Sequence, residues 1–325
     1  MKPATAAALP RRLALAAPAL LLAGRPRAEA AWPERPIRLV APFPAGSGTD
    51  VLARILSPVL SRALGQTVVV DNRPGANGIV GSQNVAQSPP DGYSIVILGT
   101  SAAAINPHTV RRMPYDVARD FSLIGMIGET PYVLCVPAEG PRDLAGFLDF
   151  VRKKPTPATF SYGNAGAMIM ASVMGSMLGV PVTTVPYRGG AEALTDLAAG
   201  RVDANFADYS PAVSQAQSGR IRMIGHSIAH PFAIAPDLPS LASLLPGFDM
   251  NVWWSIAAPA GTPPAIVAKL SRALSETLAA PEVVEKLRMV GDTPLQMSPE
   301  ETTRYVLRQH AAWGERVRIA GILPE

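Results

Sequence analysis

Short apolar runs rich in β-branched residues alternate along most of the chain with stretches in which apolar positions recur every three or four residues. That alternation predicts an α/β fold with largely parallel sheets. Residues 37–43 read as a first strand. Residues 49–64 read as a helix, with Val51, Leu52, Ile55, Leu56, Val59, Leu60 and Leu64 as its apolar positions and Gly65 as its C-cap. A second strand over 67–70, a second helix over 79–87 and a third strand over 94–98 complete one β-α-β-α-β half of a doubly wound sheet.

Residues 100–121 form a long connection into two apolar runs, 123–127 and 132–136, separated by Gly128 to Pro131. The alternation then restarts, with helices over 143–153, 168–178, 191–199 and 212–217 and strands over 159–162, 183–186, 204–207 and 221–226, which predicts a second α/β domain. A Pro-rich passage, 231–246, leads to a strand-like run at 251–258 and to three helices, 263–278, 281–290 and 299–319, each opening on proline. These helices bring no sheet of their own, so they are expected to pack back on the first domain. The organisation expected is a discontinuous first domain of residues 31–130 and 250–325 and a second domain of residues 131–249, with crossings near 128–132 and 245–255. Two lobes joined by two crossing segments form a hinge that can close around a ligand.

The first 30 residues follow another pattern. Lys2, Arg11 and Arg12 precede an apolar run over 13–23, and Ala28-Glu29-Ala30 follows as a small-x-small triplet, the layout of a secretory signal cleaved near Ala30. The run is shorter than the roughly 20 residues that a membrane span needs. The Arg11-Arg12 pair leaves both the general and the twin-arginine export routes open. Removing this segment takes away five of the 29 Lys and Arg and one of the 25 Asp and Glu, leaving 24 of each. The pI of about 9.4 therefore belongs mostly to the signal, and a neutral mature chain without a basic patch is not expected to bind nucleic acid or an anionic membrane. Cys135, the single cysteine, sits in an apolar stretch, reads as a core thiol and allows no intrachain disulfide. No cysteine follows the triplet, so no lipid anchor is expected there, and the mature protein is expected in the periplasm, as a monomer.

In open α/β sheets ligands sit beyond the carboxyl ends of the strands, where helix N-termini offer unpaired N–H groups. Three segments fit. Pro44-Ala45-Gly46-Ser47-Gly48-Thr49-Asp50 joins the first strand to its helix with residues small enough for backbone amides to approach a carboxylate, although Thr49 or Asp50 acting simply as a helix cap accounts for the turn equally well. Gly99-Thr100-Ser101 follows the third strand, and Tyr162-Gly163-Asn164-Ala165-Gly166-Ala167 precedes a helix of the second domain. One anion-accepting turn on each lobe would make closure depend on the ligand.

A series of motifs also runs in order along the mature chain: Pro42-Phe43-Pro44-Ala45-Gly46, Asn72-Arg73-Pro74-Gly75-Ala76-Asn77-Gly78, Ile105-Asn106-Pro107, Met113-Pro114-Tyr115-Asp116, Val185-Pro186-Tyr187-Arg188-Gly189 and Ala257-Ala258-Pro259-Ala260-Gly261-Thr262-Pro263. In this the chain resembles the Bug (TctC-like) solute receptors of tripartite tricarboxylate transporters. The resemblance implies a two-lobed periplasmic-binding-protein fold of the venus-flytrap, type II-like kind, two doubly wound sheets joined by two crossing segments. It implies a small organic carboxylate ligand held mainly by backbone amides and ordered water, and delivery to a membrane permease of one large and one small subunit. Carried onto this sequence, it places first-lobe contacts at Pro44 to Asp50, Thr100 and Ser101, and second-lobe contacts at Asn164, Ala165, Gly166, Ala167 and Met168, with Tyr187 and Asp208 near the cleft. The chain departs from the family where a Gly, a Ser or Thr and then a His are usual, having Met168, Ile169 and Ser172, and it has Ala207-Asp208 where a carboxylate followed by Asn is common. Apolar replacements remove polar partners for a second carboxylate, so the expected ligand is a monocarboxylate or one with an apolar or aromatic distal part.

Rival readings rest on less. Trp253 and Trp254 are adjacent in a strand and face opposite ways, so at most one is expected at the ligand, with core packing favoured. His226 and His230 have i, i+4 spacing, but the run is strand-like, so no metal site and no cofactor are expected. No G-x-S-x-G elbow, H-E-x-x-H, P-loop or Cys/His pair is present, so an enzyme is not expected, though an acid/base site using Asp50, Asp208 or Glu129 stays open because fold alone does not fix function. A receptor that reports its ligand to a membrane signalling partner is the other alternative.

Overall fold

The computed structural model describes Met1 and residues 32–324, so the signal-like segment and its cleavage triplet lie outside the described residues. In the first lobe β1 (Ile37–Ala41), β2 (Val68–Asn72) and β3 (Ser94–Gly99) run parallel in the order β2-β1-β3, with α1 (Gly48–Leu64) and α2 (Ile79–Ala86) as crossovers. The apolar face read from the sequence is the buried one: Leu52, Leu56, Leu60 and Leu64 of α1 lie in the core, and Gly65 caps the helix in the left-handed conformation. A turn of π-helix at Ser101–Ile105, α3 (Asn106–Thr109) and α4 (Val117–Asp120) occupy the long connection.

The two apolar runs on either side of Gly128 to Pro131 are one strand, β4 (Phe121–Pro137), shared by both lobes. Its first part pairs antiparallel with β9 (Asn251–Pro259), from Phe121 opposite Pro259 to Pro131 opposite Asn251, and from Tyr132 onward it pairs antiparallel with β7 (Ala204–Asp208) and β8 (Ile221–His226). Gly128 does not break the strand. It lets the short β10 (Thr293–Pro294) lie against it, since a Cβ at 128 would meet the Thr293 carbonyl oxygen at 2.6 Å. The second lobe continues with α5 (Leu144–Lys153), β5 (Ala158–Tyr162), α6 (Ala165–Leu178), β6 (Val182–Pro186), α7 (Gly190–Ala198) and α8 (Tyr209–Gln217), β5 running parallel to both β6 and β7. Both sheets are therefore mixed rather than largely parallel. A chain that leaves one lobe on β4 and returns on β9 must run those strands against each other.

The return falls at Ser227 and Met250. Ser227 is fully buried; its N–H donates to the Tyr132 carbonyl (3.0 Å), its Oγ accepts from the Tyr132 N–H (3.0 Å) and donates to the Met250 carbonyl (2.6 Å). The residues between fold on the second lobe, with Phe248 stacked on Phe206 and Phe232 edge-on to Tyr209. α9 (Pro264–Ala279) and α10 (Pro281–Met289) then pack against α1, and α11 (Pro299–Ile319) against β4. The far end of α11 also reaches the second lobe, where the Ser176 hydroxyl of α6 donates to the Ile319 carbonyl (3.2 Å). Among the described residues no helix is long and apolar enough to cross a membrane.

Candidate functional site

The strand ends of the two lobes face each other at the hinge, and the first residues of helices from both lobes line the gap between them. The first lobe contributes Ser47 and Thr49 at the start of α1, with Thr100 and Ser101 at the π-helical turn. The second contributes Asn164 before α6, Gly190 at the start of α7 and Asp208 before α8. Phe43, Ile97, Val252 and Trp254 supply apolar walls, and Tyr132 lies at the hinge. Helix starts leave N–H groups without intrahelical acceptors and carry the positive end of the helix dipole, so this arrangement favours an anion. Caps use only some of those groups: the Ser47 hydroxyl accepts from the Asp50 N–H (3.3 Å), and Asn164 Oδ1 accepts from the Ala167 N–H (3.0 Å). Among the described residues no Lys, Arg or His lines this inner cleft. The inner space is about 30 Å³. Sharing Phe43 and Gly163 with it is an outer cavity of about 570 Å³, also formed by both lobes, lined by Pro44, Pro74, Tyr162 and Tyr187 with exposed Arg188 and Glu192.

Three carboxylates shape the local electrostatics. Asp50 is buried in the first turn of α1. Burial pushes its carboxyl up, but hydrogen bonds from Arg54, the Gly46 N–H (2.9 Å) and Asn72 (3.0 Å) outweigh this and hold it below the usual range. Asp208 does not cap its own helix; it reaches across the cleft and accepts from the Gly48 N–H and the Tyr132 hydroxyl. Burial raises Asp208 to about 6 in spite of those two donors. Asp292, on the segment after α10, is also buried, and burial together with the Asp208 charge holds it well above the ordinary carboxylate range. Burial pushes the Cys135 thiol up, and it lies in the core, away from the cleft.

Of the positions expected from sequence, Ser47, Thr49, Thr100, Ser101, Asn164 and Asp208 line the inner cleft. Ala45 and Gly46 do not, although Gly46 shapes the turn by donating to Asp50, with a positive φ of 81° that favours glycine. Asp50 likewise turns into the first lobe. Gly48 touches the site through Asp208: a Cβ at 48 would lie 3.0 Å from Asp208 Oδ2. Ala165, Gly166 and Ala167 are buried in the first turn of α6, and Met168 packs half-buried against the core. Ile169 is fully buried, so the apolar character of the cleft does not come from Met168 and Ile169 but from Phe43, Ile97, Val252 and Trp254. Pro44 and Tyr187 line the outer cavity, the Tyr187 hydroxyl donating to Asp196 (2.7 Å). Trp254 faces the cleft while Trp253 is fully buried, the opposition that strand alternation requires. Gly99 and Gly163, which stand in two of the three candidate turns, also line the inner cleft. Sequence reasoning missed Phe43, Ile97, Tyr132, Gly190 and Val252. Phe43 stood inside a motif already singled out, whereas Ile97, Tyr132 and Val252 read as ordinary strand residues.

Two hinged lobes around a cleft edged by helix N-termini define the class as a solute-binding protein of the periplasmic type. Residues 52–322 match the profile of the tripartite tricarboxylate transporter family receptor (TctC), and the chain belongs to that family. A curated relative from Pseudomonas sp. (strain P51), named for the tcbD-tcbE intergenic region, is 36% identical over 275 residues, covering 83% of this chain and 82% of its own. Among solved structures, R. palustris Rpa4515 with adipate has a TM-score of 0.87 at 32% identity, covering 90% of this chain and 100% of its own. The periplasmic binding protein BugD has a TM-score of 0.86 at 30% identity, with the same coverage of 90% and 100%. The family and these neighbours are binding proteins rather than enzymes.

Proposed function

We propose that the protein captures a small organic carboxylate in the periplasm by closing its lobes, and delivers it to the large and small subunits of a tripartite tricarboxylate-type permease. The observation that carries this reading is the convergence of helix starts from both lobes on one inner cleft that, among the described residues, no cationic side chain lines. Such a site holds an anion by oriented amides and dipoles, and only the closed form presents both halves, so the ligand stabilises closure. The ligand contacts proposed are Ser47, Thr49, Thr100, Ser101 and Asn164, with the adjoining backbone amides. The inner space suits a carboxylate-sized group, and the outer cavity, with its proline and tyrosine walls, suits an apolar or aromatic remainder. Adipate in the R. palustris relative shows that this fold accommodates a carboxylic acid.

The test is a thermal-shift screen of refolded, ligand-stripped mature protein against monocarboxylates such as benzoate and nicotinate, dicarboxylates including adipate, amino acids and neutral controls. A ligand at about 100 times its dissociation constant adds roughly 2.7 kcal/mol and raises the melting point by several degrees. The expected result is a rise confined to carboxylates and largest for those with an apolar or aromatic distal part. A rise only with neutral compounds overturns the carboxylate reading; micromolar binding of a dicarboxylate with no binding of any monocarboxylate overturns the proposed distal preference.

A further inference from the structure

The ionisable side chain facing the inner cleft from the second lobe is itself an acid. Asp208 meets the Gly48 N–H from α1 and the Tyr132 hydroxyl from β4, and Tyr132 in turn bonds to Asn164 at the start of α6. From the segment after α10 comes Asp292, 5% exposed, with its Oδ1 lacking any hydrogen-bond partner. The nearest cation on α1, Arg54, is committed to Asp50 (3.0 Å). Two carboxylates from opposite lobes therefore lie within electrostatic reach of each other, and among the described residues no cationic side chain lines the inner cleft. A ligand carboxylate drawn in by the helix starts adds a third negative charge where closure has excluded water, and like charges at close range in a weakly screening site favour the neutral acid.

We propose that the receptor takes up one proton from solvent together with its carboxylate ligand, and that Asp208 holds it. No bond other than the O–H bond forms, and the proton returns to solvent when the lobes open. In the open form Asp208 is hydrated and ionised at neutral pH. In the closed, liganded form its O–H becomes a donor for the ligand carboxylate, while its other oxygen keeps the Gly48 N–H. The position of Asp208 already near 6 without ligand agrees with this direction. The sign follows from linkage: a group that binds its proton more tightly in the bound state makes affinity fall as pH rises, by up to about tenfold per pH unit between the open-form and bound-form values.

The inference rests on the carboxylate-receptor reading, and the experiment separates the two. Calorimetric titration of the mature protein with benzoate and with adipate at pH 7.5, in phosphate and in Tris, reads the protons exchanged from the difference in heat between buffers. The expected result is uptake of roughly one proton per ligand by the wild type and none by Asp208→Asn. Heat that is the same in both buffers overturns the proposal while leaving the receptor intact. Uptake that persists in Asp208→Asn but vanishes in Asp292→Asn assigns the proton to the other acid and overturns it as well. Should Asp208→Asn not fold or bind, the wild-type dissociation constant between pH 5.5 and 8.5 decides: weakening with pH supports the proposal and a flat profile overturns it. Absence of heat and of thermal shift with every acid removes the receptor reading, and this inference with it.

Discussion

Asp50 shows how one residue can look like a ligand contact and serve as its scaffold. Read along the chain, an acid in the first turn of a helix after Gly-rich residues fits either role. Folded, its carboxylate accepts from Gly46, Arg54 and Asn72, tying the turn, the helix and β2 together. Asp50→Ala should cost about 2–3 kcal/mol at pH 7, the range for losing hydrogen bonds to a charged group, measured by urea unfolding. The carboxyl is held below its ordinary value of 3.8, so its stabilisation is present above that value and is lost as pH falls through the lower folded value. The gap between wild type and variant should therefore be full at pH 6 and shrink below pH 4. Asp208 had the opposite fate: its neighbours along the chain carry no sign that it faces Gly48, because that contact is made between lobes.

At the scale of elements, α6 starts a turn earlier than its apolar periodicity. Periodicity begins at Met168, but the helix begins at Ala165 because Asn164 caps it and Gly166 lies against the Tyr132 ring, where a Cβ would come within 3.0 Å. Small residues carry no apolar signal, so a helix turn made of them reads as loop. Beside it, Gly163 brings the turn before α6 against the turn before α7: a Cβ at 163 would sit 2.2 Å from Gly189 C and Gly190 N, both backbone atoms. Gly163→Ala should force these turns apart, lower stability by about 3 kcal/mol and abolish ligand-induced thermal shift, with calorimetry as the check. The converse holds at Gly128 to Pro131, where turn-like residues lie inside β4; close approach of β10, not chain reversal, is what the glycine serves.

At the scale of the molecule, the strands that pass between the two lobes are held together at Ser227. Ser227→Ala would leave the Tyr132 N–H buried without its acceptor, and should destabilise the protein by about 1–3 kcal/mol in chemical unfolding. Closure can be tested apart from folding at Gly189. Its φ of −169° is open to any residue, and its nearest neighbour across the cleft is Pro44, whose Cγ would lie 3.1 Å from an added Cβ. Gly189→Val should fold with an unchanged apo melting point, bind carboxylate at least about tenfold more weakly, and fail to contract on ligand addition in small-angle scattering.

The alternation of strands and helices, the two-lobed fold and the family were legible in the sequence. Each is written in local periodicity, in Gly and Pro punctuation or in a collinear string of motifs. The turns that edge the cleft were legible for the same reason, since Gly-rich and Asn-bearing helix starts announce themselves. The tertiary structure alone decided that β4 serves both sheets, that Trp254 rather than Met168 walls the cleft, and that Asp208 crosses to the opposite lobe with Asp292 behind it. Those features are contacts between residues far apart in the chain. Local propensity carries no information about them, because their energies arise only when both lobes have folded against each other.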